Sequence, residues 1–178
     1  MLVILDRDGV INYDSKEYVK SPDEWIAIPG SLEAIALMHQ KGHTIVVATN
    51  QSGVHRGYYS LETLENIHQK MITEIEKAGG RLDGIYFCPH TPEEHCRCRK
   101  PEPGLLLAIK KDFPDQFKEA IVIGDSLRDI EAAERARCKA ALVKTGNGEY
   151  TVAFGEKIKE MPIFESLLDF AHHLMKND

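Results

Sequence analysis

Residues 2–12, LVILDRDGVIN, constrain this chain more than any other stretch. A short apolar run ending in carboxylates reads as a parallel strand buried on both faces, with its acidic end at a catalytic edge. Ligands of open α/β sheets bind there, outside the carboxyl ends of the strands. An isolated Asp-x-Asp is just as commonly a solvated turn, so the rest of the chain has to decide what Asp6 and Asp8 do.

Strand and helix patterns alternate through the rest of the chain. Residues 43–49, 84–88, 120–124 and 139–145 are apolar or β-branched and read as four more strands, those at 43–49 and 120–124 buried. Between them, Ser31 is placed to cap a helix to about residue 41, with Leu32, Ile35, Ala36 and His39 inward. A longer helix opens at Ser60 and Thr63, carries Leu64, Ile67, His68, Met71, Ile75 and Ala78 as a packing stripe, and stops at Gly79-Gly80. Pro103 starts a third, and Ile130, Ala133 and Ala136 mark the one after residue 124. Gly146-Asn147-Gly148 reads as a turn, and Ile163, Leu167, Phe170 and Leu174 as the apolar face of a closing helix. Strand–helix–strand repetition of this kind implies an α/β fold, a three-layer Rossmann-like parallel sheet.

At 178 residues, without a linker or internal repeat, residues 1–178 are expected to form one domain. A formal charge of −6 argues against a nucleic acid or a membrane as the main partner, although a local cation cluster can still bind a phosphorylated small molecule. Met1 runs straight into the first strand and no apolar run approaches a transmembrane span, so a cytoplasmic location is expected.

Cys88, His90, Cys96 and Cys98 follow the spacing Cys-x-His-x5-Cys-x-Cys, the ligand set of a tetrahedral Cys3His zinc site. The set is complete without water, so the zinc is expected to be structural, pinning a loop too short for a core of its own. His95 is a spare donor, and Cys138 reads as a small buried apolar residue. Arg99 and Lys100 come directly after this loop, where an arginine can grip oxygens bidentately and a lysine can neutralise a phosphoryl group.

The strand ends thus carry Asp6 and Asp8, then Thr49 with Asn50, Gln51, Ser52 and Gly53, then Asp125 and Asp129, with Arg99 and Lys100 delivered by the zinc loop. Two sets of carboxylates with a hydroxyl and a lysine between them suit Mg²⁺ beside a phosphate pocket. The chemistry this allows is phosphoryl transfer to a carboxylate, with a second carboxylate moving the proton.

LDRDGVIN, TNQSG, RKP and GDSLRD, in that order, closely resemble the four motifs of the haloacid dehalogenase superfamily of aspartyl phosphatases. The zinc loop is similar to that of its histidinol-phosphate phosphatase branch, which also holds heptose-bisphosphate phosphatases. The strings KSPDEW, TNQSGVHRG, CRCRKPEPG and GDSLRDIEAA look like the heptose side of the branch. The resemblance implies a haloacid dehalogenase-like sheet without a folded cap domain, specificity coming from the loops at 12–29, 52–59 and 88–103.

It also implies roles. Asp6 would be the nucleophile and Asp8 the general acid and later base. Asp6, the backbone carbonyl of Asp8 and Asp125 would hold Mg²⁺, and Cys88, His90, Cys96 and Cys98 zinc. Thr49 and Lys100 would steady the phosphoryl group. Asp14, Ser15, Lys16, Glu17, Tyr18, Asn50, Gln51, Ser52, Arg99 and Ser126 would meet the substrate, with Asp129 behind the metal. The implied substrate is a sugar bisphosphate, D-glycero-D-manno-heptose 1,7-bisphosphate losing its 7-phosphate on the route to ADP-heptose and lipopolysaccharide core; apart from the resemblance, a monomer is expected. Two features depart from the heptose pattern. The x5 spacing is typical of histidinol-phosphate phosphatases, and Ser126 stands where some heptose enzymes have lysine. Histidinol phosphate therefore stays open as the alternative substrate.

Overall fold

The structure is a computed structural model that describes residues 1–155, 158 and 160–177. Six parallel strands form one sheet in the order β3-β2-β1-β4-β5-β6. They are β1 (Leu2–Leu5), β2 (Thr44–Asn50), β3 (Gly84–Cys88), β4 (Ile121–Gly124), β5 (Lys139–Val143) and β6 (Ile163–Phe164). β1 lies near the centre, and all of its residues are buried because both faces are covered. Alternation along it divides the core: Val3 and Leu5 enter one cluster, Leu2 and Ile4 the other.

The first cluster packs α1 (Ser31–Gln40), α2 (Leu61–Lys77) and α6 (Leu167–Asn177) against one face. The second packs α3 (Gly104–Asp112) and α4 (Leu127–Ala136) against the other, and α5 (Gly148–Phe154) follows β5. The result is the expected three-layer α/β architecture. The strand order reverses between β1 and β4, which opens a crevice at their carboxyl ends.

Several local expectations change. Ser31 is the first helical residue rather than the cap: Gly30 occupies that place with φ 84°, and the Ser31 hydroxyl donates to the Ile11 carbonyl at 2.6 Å. Ile163 belongs to β6, whose short run beside β5 takes it out of the final helix, which begins at Leu167. Gly148 opens α5 instead of closing a turn. Pro103 caps α3 rather than standing inside it, and Ala78 is exposed at the end of α2. His39 is half-buried, as is Cys138, whose thiol donates to the Ala120 carbonyl at 3.2 Å. No described helix is long and apolar enough to cross a membrane.

Candidate active site

At the end of β1 the chain turns through Asp6-Arg7-Asp8-Gly9. Gly9 has φ 85°, and any side chain there would collide with the Asp125 carboxylate and the backbone of Gly146. The close approach lets Thr145 donate through its hydroxyl to the Gly9 carbonyl at 2.7 Å, and Asn147 N–H to Asp125 Oδ2 at 2.8 Å. The loops after β1, β4 and β5 are thereby tied together.

Lys100 is the buried cation at the centre, 3% exposed. Its Nζ lies 2.9 Å from Asp6 Oδ1 and 2.7 Å from Asp129 Oδ1, and donates to the Ala48 carbonyl at 2.7 Å. Burial would lower the lysine's pKa, but Asp129 and Asp6 more than reverse this and hold it above its ordinary value. Burial, then Asp129, push Asp6 up to about 6 despite the lysine. Thr49 is buried beside them, its hydroxyl accepting from Gln51 Nε2 at 3.0 Å.

Asp8 has a different environment two residues away. Oδ1 accepts from Arg7 Nε and Nη2 at 3.1 and 2.8 Å and from Asn12 Nδ2 at 2.9 Å, while Oδ2 accepts from Gln51 Nε2 at 2.9 Å. Burial acts to raise its pKa, but the Arg7 charge and these donors outweigh it and leave the carboxyl below its ordinary value. The paired aspartates are thus electrostatically unequal. Behind them, Tyr59 donates to Gln51 Oε1 at 2.7 Å, and Arg7 Nη1 meets His68 Nε2 at 3.1 Å.

The acidic side fits a hard cation. Donor oxygens of Asp6, Asp125 and Asp129 lie within 4.8 Å of one another. Asp129 is already committed, with Oδ1 on Lys100 and Oδ2 accepting from Ser126 N–H and Oγ. Asp125 is not: its Oδ1 is buried without a hydrogen-bond partner, and burial, then Asp6, push its pKa up to about 8. An orphaned buried carboxylate oxygen beside a second carboxylate is where Mg²⁺ would offset the charge.

Cys88, His90, Cys96 and Cys98 also converge. Sγ of Cys98 lies 3.0 Å from that of Cys88 and 3.6 Å from that of Cys96, and His90 Nδ1 is 3.3 and 3.2 Å from Cys88 and Cys98. All four cysteines are free thiols, and the four donor atoms fit one tetrahedral metal ion. His95 is not among the converging donors. The cluster is fastened to Lys100: Arg99 N–H donates to Cys96 Sγ at 3.3 Å, and Lys100 N–H and carbonyl each pair with the Asn50 side-chain amide at 3.0 Å.

Between these groups lies a cleft of about 220 Å³. Asp6, Asp8 and Lys100 line it, as do Asp14, Ser15, Lys16, Tyr18, Asn50, Gln51, Ser52 and Arg99. Glu17 and Ser126 stand outside this lining, Ser126 being turned back on Asp129 as the cap of α4. Thr49 and Asp125 are buried and outside the lining. Tyr18 has φ 68° and packs edge-on against Tyr58 with ring centroids 5.0 Å apart, shaping the outer wall.

Sequence reasoning missed Arg7, Asn12, Tyr59, His68 and Arg128 as parts of this site. Arg128 lines the cleft, and its Nε is buried without a hydrogen-bond partner. Burial would lower its pKa, but Asp6, Asp129, Asp125 and Asp14 hold it above its ordinary value. Its position three residues after Asp125, in the first turn of α4, was the available signal.

Comparison with known proteins gives a consistent result. A family model described as HAD-hydrolase-like matches residues 97–170. The D-glycero-beta-D-manno-heptose-1,7-bisphosphate 7-phosphatase of Neisseria meningitidis serogroup A is 46% identical, the match covering 99% of this chain and 96% of that protein. The crystal structure of the D,D-heptose 1,7-bisphosphate phosphatase of Bordetella bronchiseptica, complexed with magnesium and phosphate, superimposes with a TM-score of 0.96. It is 47% identical, and 99% of each chain is covered. The corresponding enzyme of Burkholderia thailandensis gives 0.77 at 38% identity, over 98% of this chain and 97% of that one.

Proposed function

Because the chain belongs to the family of D-glycero-beta-D-manno-heptose-1,7-bisphosphate 7-phosphatases, haloacid dehalogenase-like hydrolases, we propose that it removes the 7-phosphate from that bisphosphate in its beta form. The observation that carries this reading is the geometry of Asp6: a buried carboxylate 2.9 Å from a buried lysine, in the lining of a cleft that holds further cations.

Asp6 attacks the phosphorus, an Asp6 Oδ–P bond forms, and the bond from phosphorus to the sugar oxygen breaks. Asp8 gives that oxygen its proton. Asp8, now ionised, then takes a proton from water, which attacks the same phosphorus and returns Asp6 as a carboxylate with inorganic phosphate. The donors that hold Asp8 below its ordinary pKa favour the ionised form that the second half of this cycle starts from. An incoming phosphate dianion raises it for the first half, since like charges favour the neutral form.

Lys100, through Asp6 and Asp129, keeps the nucleophile aimed and offsets charge on the phosphoryl group, with the Thr49 hydroxyl beneath it. Asp6, Asp125 and the carbonyl of Asp8 would hold Mg²⁺, which when bound supplies the positive charge that lets two anions meet. Cys88, His90, Cys96 and Cys98 would hold Zn²⁺ in a structural role, fixing where Arg99 and Lys100 enter the cleft. Arg99 and Arg128 face the same space as two guanidiniums, and suit the second phosphate of a bisphosphate. Lys16, Tyr18, Asn50, Gln51 and Ser52 would contact the sugar, with Asp14 and Ser15 at the rim.

The test is kcat/KM with Mg²⁺ on both anomers of the heptose bisphosphate and on histidinol phosphate. The beta bisphosphate is expected to lead by at least an order of magnitude. A preference for histidinol phosphate would reassign the chain within the branch.

A further inference from the structure

The apolar stripe of α2 has one polar member. His68 is 6% exposed, between Leu64, Ile67, Met71 and Ile75, where packing alone would need no ring nitrogen. Its Nε2 faces Arg7 Nη1 at 3.1 Å, and Arg7 is itself completely buried. A guanidinium can only donate, so the ring nitrogen opposite it accepts, and His68 is the neutral tautomer with its proton on Nδ1. Burial and then Arg7 push the imidazole down to about 3, in keeping with that assignment.

The arginine between them has divided its donors. Nε and Nη2 hold Asp8 Oδ1 and Nη1 is left for His68, so the histidine occupies the end of the guanidinium that would otherwise be a buried donor without a partner. Asp8 Oδ1 also receives Asn12 and is saturated by three donors, whereas Oδ2 receives only Gln51. Oδ2 is therefore the oxygen with room for the transferred proton. Its one protein donor is braced in turn by the Tyr59 hydroxyl on Gln51 Oε1.

We propose that His68 is a positioning residue for the reaction: by bracing the far end of Arg7 it keeps Asp8 Oδ1 engaged and turns Oδ2 towards the leaving oxygen. This rests on the reading of Asp8 as the group that moves the proton. Loss of the brace should harm the steps that use Asp8 and spare the attack by Asp6.

The experiment compares His68→Met with His68→Gln, whose amide oxygen can accept from Nη1. Two substrates are used: the heptose bisphosphate, and an aryl phosphate whose phenolate leaves without a proton. In His68→Met, sugar-phosphate kcat is expected to fall roughly ten-fold or more, within the ~10²–10⁴ that a general acid supplies, with KM little changed. The pre-steady-state burst of phenolate should keep its wild-type rate, and His68→Gln should recover most of the lost kcat. Equal slowing of burst and sugar turnover, wild-type values for both, or no recovery in His68→Gln would overturn the proposal. Asp8→Asn is run alongside. If it too lacks the dependence on leaving group, the reading of Asp8 is at fault; if it shows the dependence and His68→Met does not, only the role of His68 falls. Should the Met variant not fold, wild-type protein carrying ¹⁵N-histidine decides: a neutral ring protonated on Nδ1 is expected, and a proton on Nε2 contradicts the brace.

Discussion

Lys100 Nζ lies 2.9 Å from the carboxylate of Asp6, and both residues are almost completely buried, at 3% and 5% exposed. The lysine also meets Asp129 at 2.7 Å, so it bridges two acids in a water-poor setting. Removing one member of such a set leaves charge uncompensated. Lys100→Met is therefore expected to abolish turnover and to destabilise the protein by ~3–5 kcal/mol, the usual cost of breaking a buried pair. Urea unfolding in Mg²⁺-free buffer measures it, and a loss below ~1 kcal/mol would contradict the charge balance described.

Asp125, with one oxygen buried and unpaired, gives a pH dependence. Its folded pKa, about 8, stands above the ordinary 3.8, so between those values the folded protein binds more protons than the unfolded chain. Stability then falls as pH rises through this window. Without Mg²⁺ the melting temperature should drop from pH 5 to pH 8.5. Asp125→Asn should flatten that slope, and Mg²⁺ should restore stability to the wild type at the alkaline end but not to the variant. A wild-type slope unaffected by either change would remove Asp125 from the cation site.

Arg128 carries a buried Nε without a partner in the cleft. Arg128→Met should raise KM for the bisphosphate by ten-fold or more, as expected for a charge-assisted contact of ~1.5–3 kcal/mol. KM for a heptose carrying only the 7-phosphate should barely move. Equal effects on both substrates would place Arg128 at the transferred phosphate instead.

The Cys3His cluster should retain one equivalent of zinc through purification, measurable by elemental analysis. Cys98→Ser should lose it, lower the melting temperature and reduce kcat, because the loop that carries Lys100 is fastened to Cys96 and Asn50. An active, stable protein without zinc would contradict a structural metal.

The parallel sheet was legible because β1, β2, β4 and β5 are short apolar runs separated by helix patterns, with polar residues grouped at their ends. Cys88, His90, Cys96 and Cys98 were legible for the same reason, through spacing within a single loop. What escaped depends on contacts between distant segments. Arg7 looks like a solvated charge until α2 brings His68 to it across 61 positions of chain. Ser31 has the composition of a cap, but the Ile11 carbonyl claims its hydroxyl. β6 is two residues long, and its strand character comes from β5 beside it rather than from its own pattern. Arg128 sat in a recognised string, yet only the folded cleft distinguishes it from an exposed helical arginine.

The central claim is that Asp6 becomes phosphorylated. The direct measurement is rapid acid quenching of the Mg²⁺-loaded protein with heptose bisphosphate labelled in its 7-phosphate, followed by peptide mapping of the label. The account predicts an acid-stable, hydroxylamine-sensitive phosphoryl group on the peptide containing Asp6, absent from Asp6→Asn. Turnover at the wild-type rate in Asp6→Asn, or label on any other residue, would contradict it.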